Sequence, residues 1–134
     1  MTIQIRIKVL NGTTKGSTFI YCKASTCVVG RASDCTIQIP KKDEGLDVSR
    51  HHCLFEIDPP YIWLRDLNST NGTYLNERRI EPSKELLELI RDGDKVRVGR
   101  LEMSVTIDPN PTDHARTVPA KQSEKETDPL FNFN

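Results

Sequence analysis

The chain has 134 residues, 36% of them hydrophobic and 28% charged, enough for one domain of about 100 to 130 residues with its own core and for no second one. Nineteen basic residues balance nineteen acidic ones at a sequence pI near 6.8, which excludes a global field that draws the chain to nucleic acid or to an anionic membrane; any anion recognition must be local. The opening residues Met1 to Arg6 alternate polar and apolar instead of forming a charged region and an unbroken apolar run, and no stretch approaches the length of a membrane span, so the expectation is a cytoplasmic protein without a signal peptide.

Period-two alternation runs through most of the chain. Ile3, Ile5, Ile7 and Val9 fall on one face of an opening strand and Gln4, Arg6 and Lys8 on the other, with Asn11-Gly12 as a turn signal directly after. Runs rich in β-branched and aromatic residues follow at Thr18 to Cys22, Thr26 to Val29, Thr36 to Ile39, His52 to Ile57 and Tyr61 to Asp66. Thr73 to Leu75, Lys95 to Val98 and Leu101 to Asp108 complete the series. Many short strands separated by Gly, Pro, Asn and Asp predict an all-β sandwich or barrel. One stretch departs from this rhythm. Ser83 to Arg91 is rich in helix formers, with Pro82 and Ser83 where an N-terminal cap would sit and Asp92-Gly93 where the run would stop, which predicts a short surface helix whose Leu86, Leu87 and Ile90 seal one edge of the core or, alternatively, form a ridge for a partner. Residues 109–134 hold four of the eight prolines and almost no apolar pattern before Leu130, Phe131 and Phe133. They cannot bury enough surface to offset their ordering entropy, and the chain divides into a domain at 1–108 and a disordered tail at 109–134.

Cys22, Cys27, Cys35 and Cys53 include no C-x-x-C pair. In a reducing compartment such thiols pack as small hydrophobes. The alternative, a zinc site that adds His51 or His52, meets spacings of five, eight and eighteen that match none of the usual ligand patterns, and neither metal nor cofactor is expected.

Three loops carry the chemistry. Arg31 follows a strand ending in Val28-Val29-Gly30, where a small glycine lets the chain bend, and its guanidinium fork matches phosphate oxygens in a bidentate manner. By itself an arginine after a glycine is an ordinary solvated turn residue, and Gly99-Arg100 repeats the pair with no evident site around it. Ser49 and Arg50 end a polar loop from Pro40 to Val48 that contains Lys41 and Lys42. Ser49 offers a hydroxyl, and Arg50 and the lysines offer positive charge. The other reading makes them plain turn and surface residues. The ring of His52 is better suited to bracing the loop through backbone hydrogen bonds than to acid or base work, since no carboxylate partner or nucleophile is marked beside it. Asn71-Gly72 is a common hairpin signal. The run before it, Asn68-Ser69-Thr70-Asn71, follows a strand whose Trp63 and Leu64 should be buried; so many capping-type side chains fix a tight loop and leave an amide or hydroxyl facing outward.

Gly30-Arg31, Ser49-x-x-His52 and Asn68-Ser69-Thr70-Asn71-Gly72-Thr73, with Asn76 beyond, taken in this order resemble the forkhead-associated (FHA) domain family. The resemblance covers about residues 3 to 108. It implies a β-sandwich of about eleven strands, FHA/SMAD-like, with loops at one end that bind phosphothreonine peptides. Carried over by position, Arg31 and Ser49 contact the phosphate, Thr70 helps at the phosphate side, and Asn71 holds the main chain of the peptide. Gly30 and His52 shape the site, Gly72 permits the turn, and Asn76 supports it. Arg50 stands at a position that varies in the family and adds a cation beside the phosphate or points to solvent.

The functional expectation is therefore a phosphothreonine-dependent interaction module, not an enzyme, acting as a stand-alone adaptor or regulator in Ser/Thr kinase signalling, with no nucleic acid or membrane partner. The competing reading is a phosphate-independent protein-assembly module on the same sandwich. Thr127, with Leu130 three places later, adds a tethered ligand: once phosphorylated, the tail would dock into the site of its own domain or of a neighbour.

Overall fold

The computed structural model describes residues 3–42, 45–82 and 86–110. Eleven strands run in chain order: β1 (Gln4–Val9), β2 (Thr18–Tyr21), β3 (Ser25–Gly30), β4 (Ile37–Gln38), β5 (Cys53–Asp58), β6 (Tyr61–Asp66), β7 (Thr73–Leu75), β8 (Arg78–Arg79), β9 (Glu88–Leu89), β10 (Lys95–Val98) and β11 (Leu101–Asp108). They form two sheets, ordered β2-β1-β11-β10-β7-β8 and β4-β3-β5-β6-β9. The all-β sandwich of eleven strands is the architecture expected. The tail beyond Asn110, Thr127 included, lies outside the described residues.

The alternation in the sequence places the core. Ile5, Ile7 and Val9 of β1 face inward with Val96 and Val98 of β10 and Leu101, Met103 and Val105 of β11; opposite them lie Cys27, Val29, Cys53, Phe55, Ile57, Ile62 and Leu64. Strand β1 pairs with β11 in a register that sets Ile7 against Val105, so a slip of one residue would turn this whole inner row to solvent. Each fully buried large aliphatic side chain contributes about 1.5–3 kcal/mol. No helix among the described residues is long and apolar enough to cross a membrane.

Residues 86–91 do not form the expected helix. Glu88 and Leu89 add a short strand to the edge of β6, pairing with Leu64 and Trp63, and the Ile90 amide donates to the Ile62 carbonyl at 2.9 Å. Helix propensities differ by only about 0.7 kcal/mol per residue among ordinary side chains, so an open strand edge and a core slot for Ile90 outweigh them. Ile90 is buried, whereas Leu86 is 76% exposed and Leu87 is exposed as well; of the three leucine and isoleucine residues expected to seal the core, one does so. Residues 83–85 lie outside the described set. Alternation also separates two neighbours expected to be buried together. Leu64 faces the core, while Trp63 is half-buried on the outer face beside Tyr61, ring centroids 5.8 Å apart.

The sequence signals did not mark β8. It is joined to β7 by Asn76 and Glu77, both left-handed at φ 50° and 67°, a two-residue primed turn that suits the twist of a hairpin. Asn71-Gly72 makes no hairpin. The segment crosses from β6 in one sheet to β7 in the other.

Candidate functional site

Three connections meet at one end of the sandwich: the turn after β3, the long segment between β4 and β5, and the crossing from β6 to β7. The first two are clasped by main chain. Arg31 N donates to Ser49 O at 3.1 Å and Ala32 N to Arg50 O at 3.0 Å. Gly30 serves this approach rather than a bend: a Cβ there would stand 2.1 Å from the Arg50 carbonyl oxygen, inside any tolerable contact. Arg31 then projects its side chain over the clasp. Its Nε donates to Val48 O at 2.6 Å, which fixes the plane of the guanidinium. Among the described residues both Nη groups keep their hydrogens uncommitted.

Ser49 sits beside it, half-buried. Its Oγ accepts the Thr70 amide at 3.1 Å, bringing the third connection to the second. His52 completes the link from below, wholly buried. Its Nδ1 accepts the Ser49 amide at 3.0 Å, so the proton is on Nε2, which donates to Gly72 O at 2.8 Å. Burial is the largest influence on this ring and pushes its pKa below the ordinary value, against the smaller opposing pulls of the Gly72 carbonyl and Asp66. The imidazole is a neutral brace with both nitrogens occupied, the role expected from the sequence, and has no lone pair left for a proton or a metal. Gly72 has φ +88°, the left-handed region that glycine enters without strain.

The β6–β7 crossing owes its shape to residues that sequence reasoning did not single out. Asp66 ends the inward row Ile62, Leu64, Asp66 and is buried. Its carboxylate accepts the Ser69 amide at 3.0 Å, the Ser69 hydroxyl at 2.6 Å and the Thr73 hydroxyl at 2.6 Å. Ser69 Oγ in turn accepts the Gly72 amide at 2.9 Å. Three donors compensate the carboxylate for its lost water. The available signal was a carboxylate falling in a core-facing register, with hydroxyl residues three and seven places on.

Thr70 and Asn71 are exposed at the tip. Asn71 Nδ2 donates to Asp47 O at 3.1 Å, and the Asp47 carboxylate accepts from Arg100 Nε at 3.1 Å. The second Gly-Arg pair, which showed no site in the sequence, therefore buttresses the β4–β5 segment from behind. Arg31, Leu46, Asp47, Val48, Ser49, Arg50, Thr70 and Asn71 line an open groove of ≈ 430 Å³. Arg31, Ser49, Arg50, Thr70 and Asn71, the five residues expected to bind, are thus brought together. Leu46 and the 47–48 main chain are additions. Lys41 and Lys42 are exposed but do not line the groove. Asn76 stands apart: its side chain bonds Asp94 Oδ1 and the Lys95 amide, each at 3.0 Å, so it braces the turn between β9 and β10 against the β7–β8 hairpin.

The thiols divide. Cys27, Cys35 and Cys53 are buried as expected, and Cys22 is exposed. Burial pushes the Cys27 thiol up to about 12 and drives Cys53 upward too, so these two behave as packed hydrophobes rather than nucleophiles.

Residues 27–99 match the model of the FHA domain, more than half of the chain, and the chain belongs to the FHA domain family. Over 72 residues it is 36% identical to the E3 ubiquitin-protein ligase RNF8 of Homo sapiens, covering 53% of this chain and 14% of that protein. Over 78 residues it is 36% identical to the FHA domain-containing protein FhaA of Mycobacterium tuberculosis, covering 58% and 13%. The chain thus spans only a small part of the length of these relatives. Among solved structures it is similar to one described as a structural and functional analysis of phosphothreonine-dependent FHA domain interactions, with a TM-score of 0.65, 28% identity and coverage of 79% of this chain and 98% of that one. It is also similar to the FhaA FHA domain complexed with the intracellular domain of Rv3910, with a TM-score of 0.62, 29% identity and coverage of 75% and 98%. By family and by fold the described residues form an FHA domain.

Proposed function

We propose that this FHA domain reads phosphothreonine on a partner protein and acts as an adaptor or regulator in Ser/Thr kinase signalling. The observation that carries the reading is the pairing of Arg31 and Ser49 on one groove. Val48 O orients the guanidinium, Thr70 N occupies an acceptor position of the hydroxyl, and the Nη hydrogens and the Ser49 O–H remain to meet phosphate oxygens. Arg50, exposed on the same wall, adds charge. Thr70 assists at the phosphate side, and Asn71, pinned to Asp47 O, presents its amide to the main chain of the peptide.

A phosphothreonine brings nearly two negative charges and three acceptor oxygens, and each charge-assisted bond is worth about 1.5–3 kcal/mol. Loss of the phosphate should therefore remove nearly all binding. Preference for threonine over serine rests on one methyl group, about 1–3 kcal/mol. A contact of loop ends with a short peptide buries little area, which suits reversible signalling.

Calorimetric titration with matched phosphothreonine, phosphoserine and unmodified peptides from an oriented library tests this. Saturable binding of the phosphothreonine set alone is expected. Equal binding of the unmodified set would replace the proposal with a phosphate-independent assembly module.

A further inference from the structure

We propose that Asp34, Cys35 and His51 form a binding site for a zinc-like divalent cation on the flank of the groove loops. One ligand atom from each, a carboxylate oxygen, the thiol sulfur and an imidazole nitrogen, lies within 4.8 Å of the other two. His51 Nε2 already stands 2.9 Å from Asp34 Oδ1 and 3.2 Å from Oδ2. The three residues come from two segments, the turn after β3 and the approach to β5, and the frame beneath them is held independently: Ala32 N donates to Arg50 O at 3.0 Å and Cys35 N to Ala32 O at 3.1 Å. Nitrogen, sulfur and carboxylate oxygen are the donor types zinc accepts, at about 2.0–2.3 Å, which places tetrahedral ligand atoms about 3.3–3.8 Å apart. Small rotations of the two exposed side chains, Asp34 and His51, bring the cluster to that size.

The proton balance is simple. The ion takes the place of the proton between His51 Nε2 and Asp34, which moves by way of solvent to Nδ1 of the same ring, and the Cys35 thiol releases its proton to solvent as the Sγ–metal bond forms. In the protein as described that thiol donates to Arg50 O at 3.2 Å. Once it becomes a thiolate the carbonyl still keeps the Ala32 amide, so metal binding orphans no buried group. Three protein ligands leave a fourth position for water. The set differs from the one the cysteine spacings suggested: Cys27 and Cys53 are sealed in the core and His52 has no free nitrogen, so His51 joins one thiol and an aspartate. A bound ion would tie the segment carrying Arg50 to the β3–β4 turn.

The test uses the metal-free full chain, titrated with Zn2+ by calorimetry and with Co2+ by absorption. One ion per chain and a thiolate-to-cobalt charge-transfer band are expected. His51→Gln and Cys35→Ser should each weaken binding by more than about 100-fold, beyond the 10–100-fold typical of losing a partner outside the ligand set. Cys22→Ser should leave it unchanged. Because Cys35 is buried and its replacement can unsettle the turn, the exposed His51→Gln variant is the deciding one. No stoichiometric binding, or binding that survives His51→Gln, overturns the proposal.

Discussion

The amide of Thr70 donates to the side-chain oxygen of Ser49 at 3.1 Å across twenty-one residues of chain. A hydroxyl has two acceptor lone pairs and one donor, so occupying an acceptor from the protein side leaves the O–H directed at whatever enters the groove. Ser49→Ala should weaken phosphothreonine-peptide affinity by about 10–100-fold, the worth of one charge-assisted bond at about 1.5–3 kcal/mol. Calorimetry on wild type and variant measures it, and unchanged affinity would remove Ser49 from the site.

Arg31 performs two jobs that substitution can separate. Arg31→Lys keeps the charge but loses both the fork and the Nε bond to Val48 O, and at least a tenfold loss of affinity is expected. Arg31→Ala removes every Nη contact, with a loss of more than about 100-fold. Both should also unfold at slightly lower temperature, since a bond worth about 1 kcal/mol shifts the midpoint of a domain this size by about 4–8 °C. A thermal melt beside the titration distinguishes the effects.

His52 makes stability depend on pH in a definite direction. Its folded pKa lies below the ordinary 6.5 because burial disfavours the charged ring, so below that value the unfolded chain takes up a proton that the native state refuses. The stabilisation is complete above about pH 6.5 and is lost as pH falls through the lower folded value. Urea midpoints should drop between about pH 7.5 and about pH 5.5, and His52→Gln should flatten the dependence while lowering stability throughout. A slope that persists unchanged in the variant would assign it to another group.

Asp66→Ala should damage the fold more than any change on the groove surface. It strips the acceptor from the Ser69 amide, the Ser69 hydroxyl and the Thr73 hydroxyl together, at about 1–3 kcal/mol for each donor left unpaired. A loss of about 3 kcal/mol or more in urea unfolding is expected, with peptide binding weakened through the displaced Thr70. Wild-type stability in this variant would show that water satisfies the crossing unaided.

The sandwich was legible because its strands alternate cleanly: Ile5, Ile7 and Val9 point inward and Lys8 outward, as the pattern requires. The groove residues were legible through the family resemblance: taken singly, Arg31, Ser49 and Asn71-Gly72 have ordinary turn readings, and only the three blocks in their order mark a site. Three things escaped. The Ser83–Arg91 stretch favours a helix locally, but the open edge of β6, which is invisible in a linear chain, recruits Glu88 and Leu89 as a strand. Gly30 looked like a hinge because the carbonyl of Arg50, twenty residues away, shows only in three dimensions. Asp66 looked like the polar end of a strand, and its register gained meaning only when Ser69 and Thr73 folded back onto it.

The clasp between the β3 turn and the β4–β5 segment is made by amides and carbonyls, so it is indifferent to which side chains stand above it. Leu46, Arg50 and Thr70 are exposed on the surrounding rim. Mutation can exchange them one at a time without loosening the frame beneath, and a lineage carrying this domain can change its clientele while its folding stays the same.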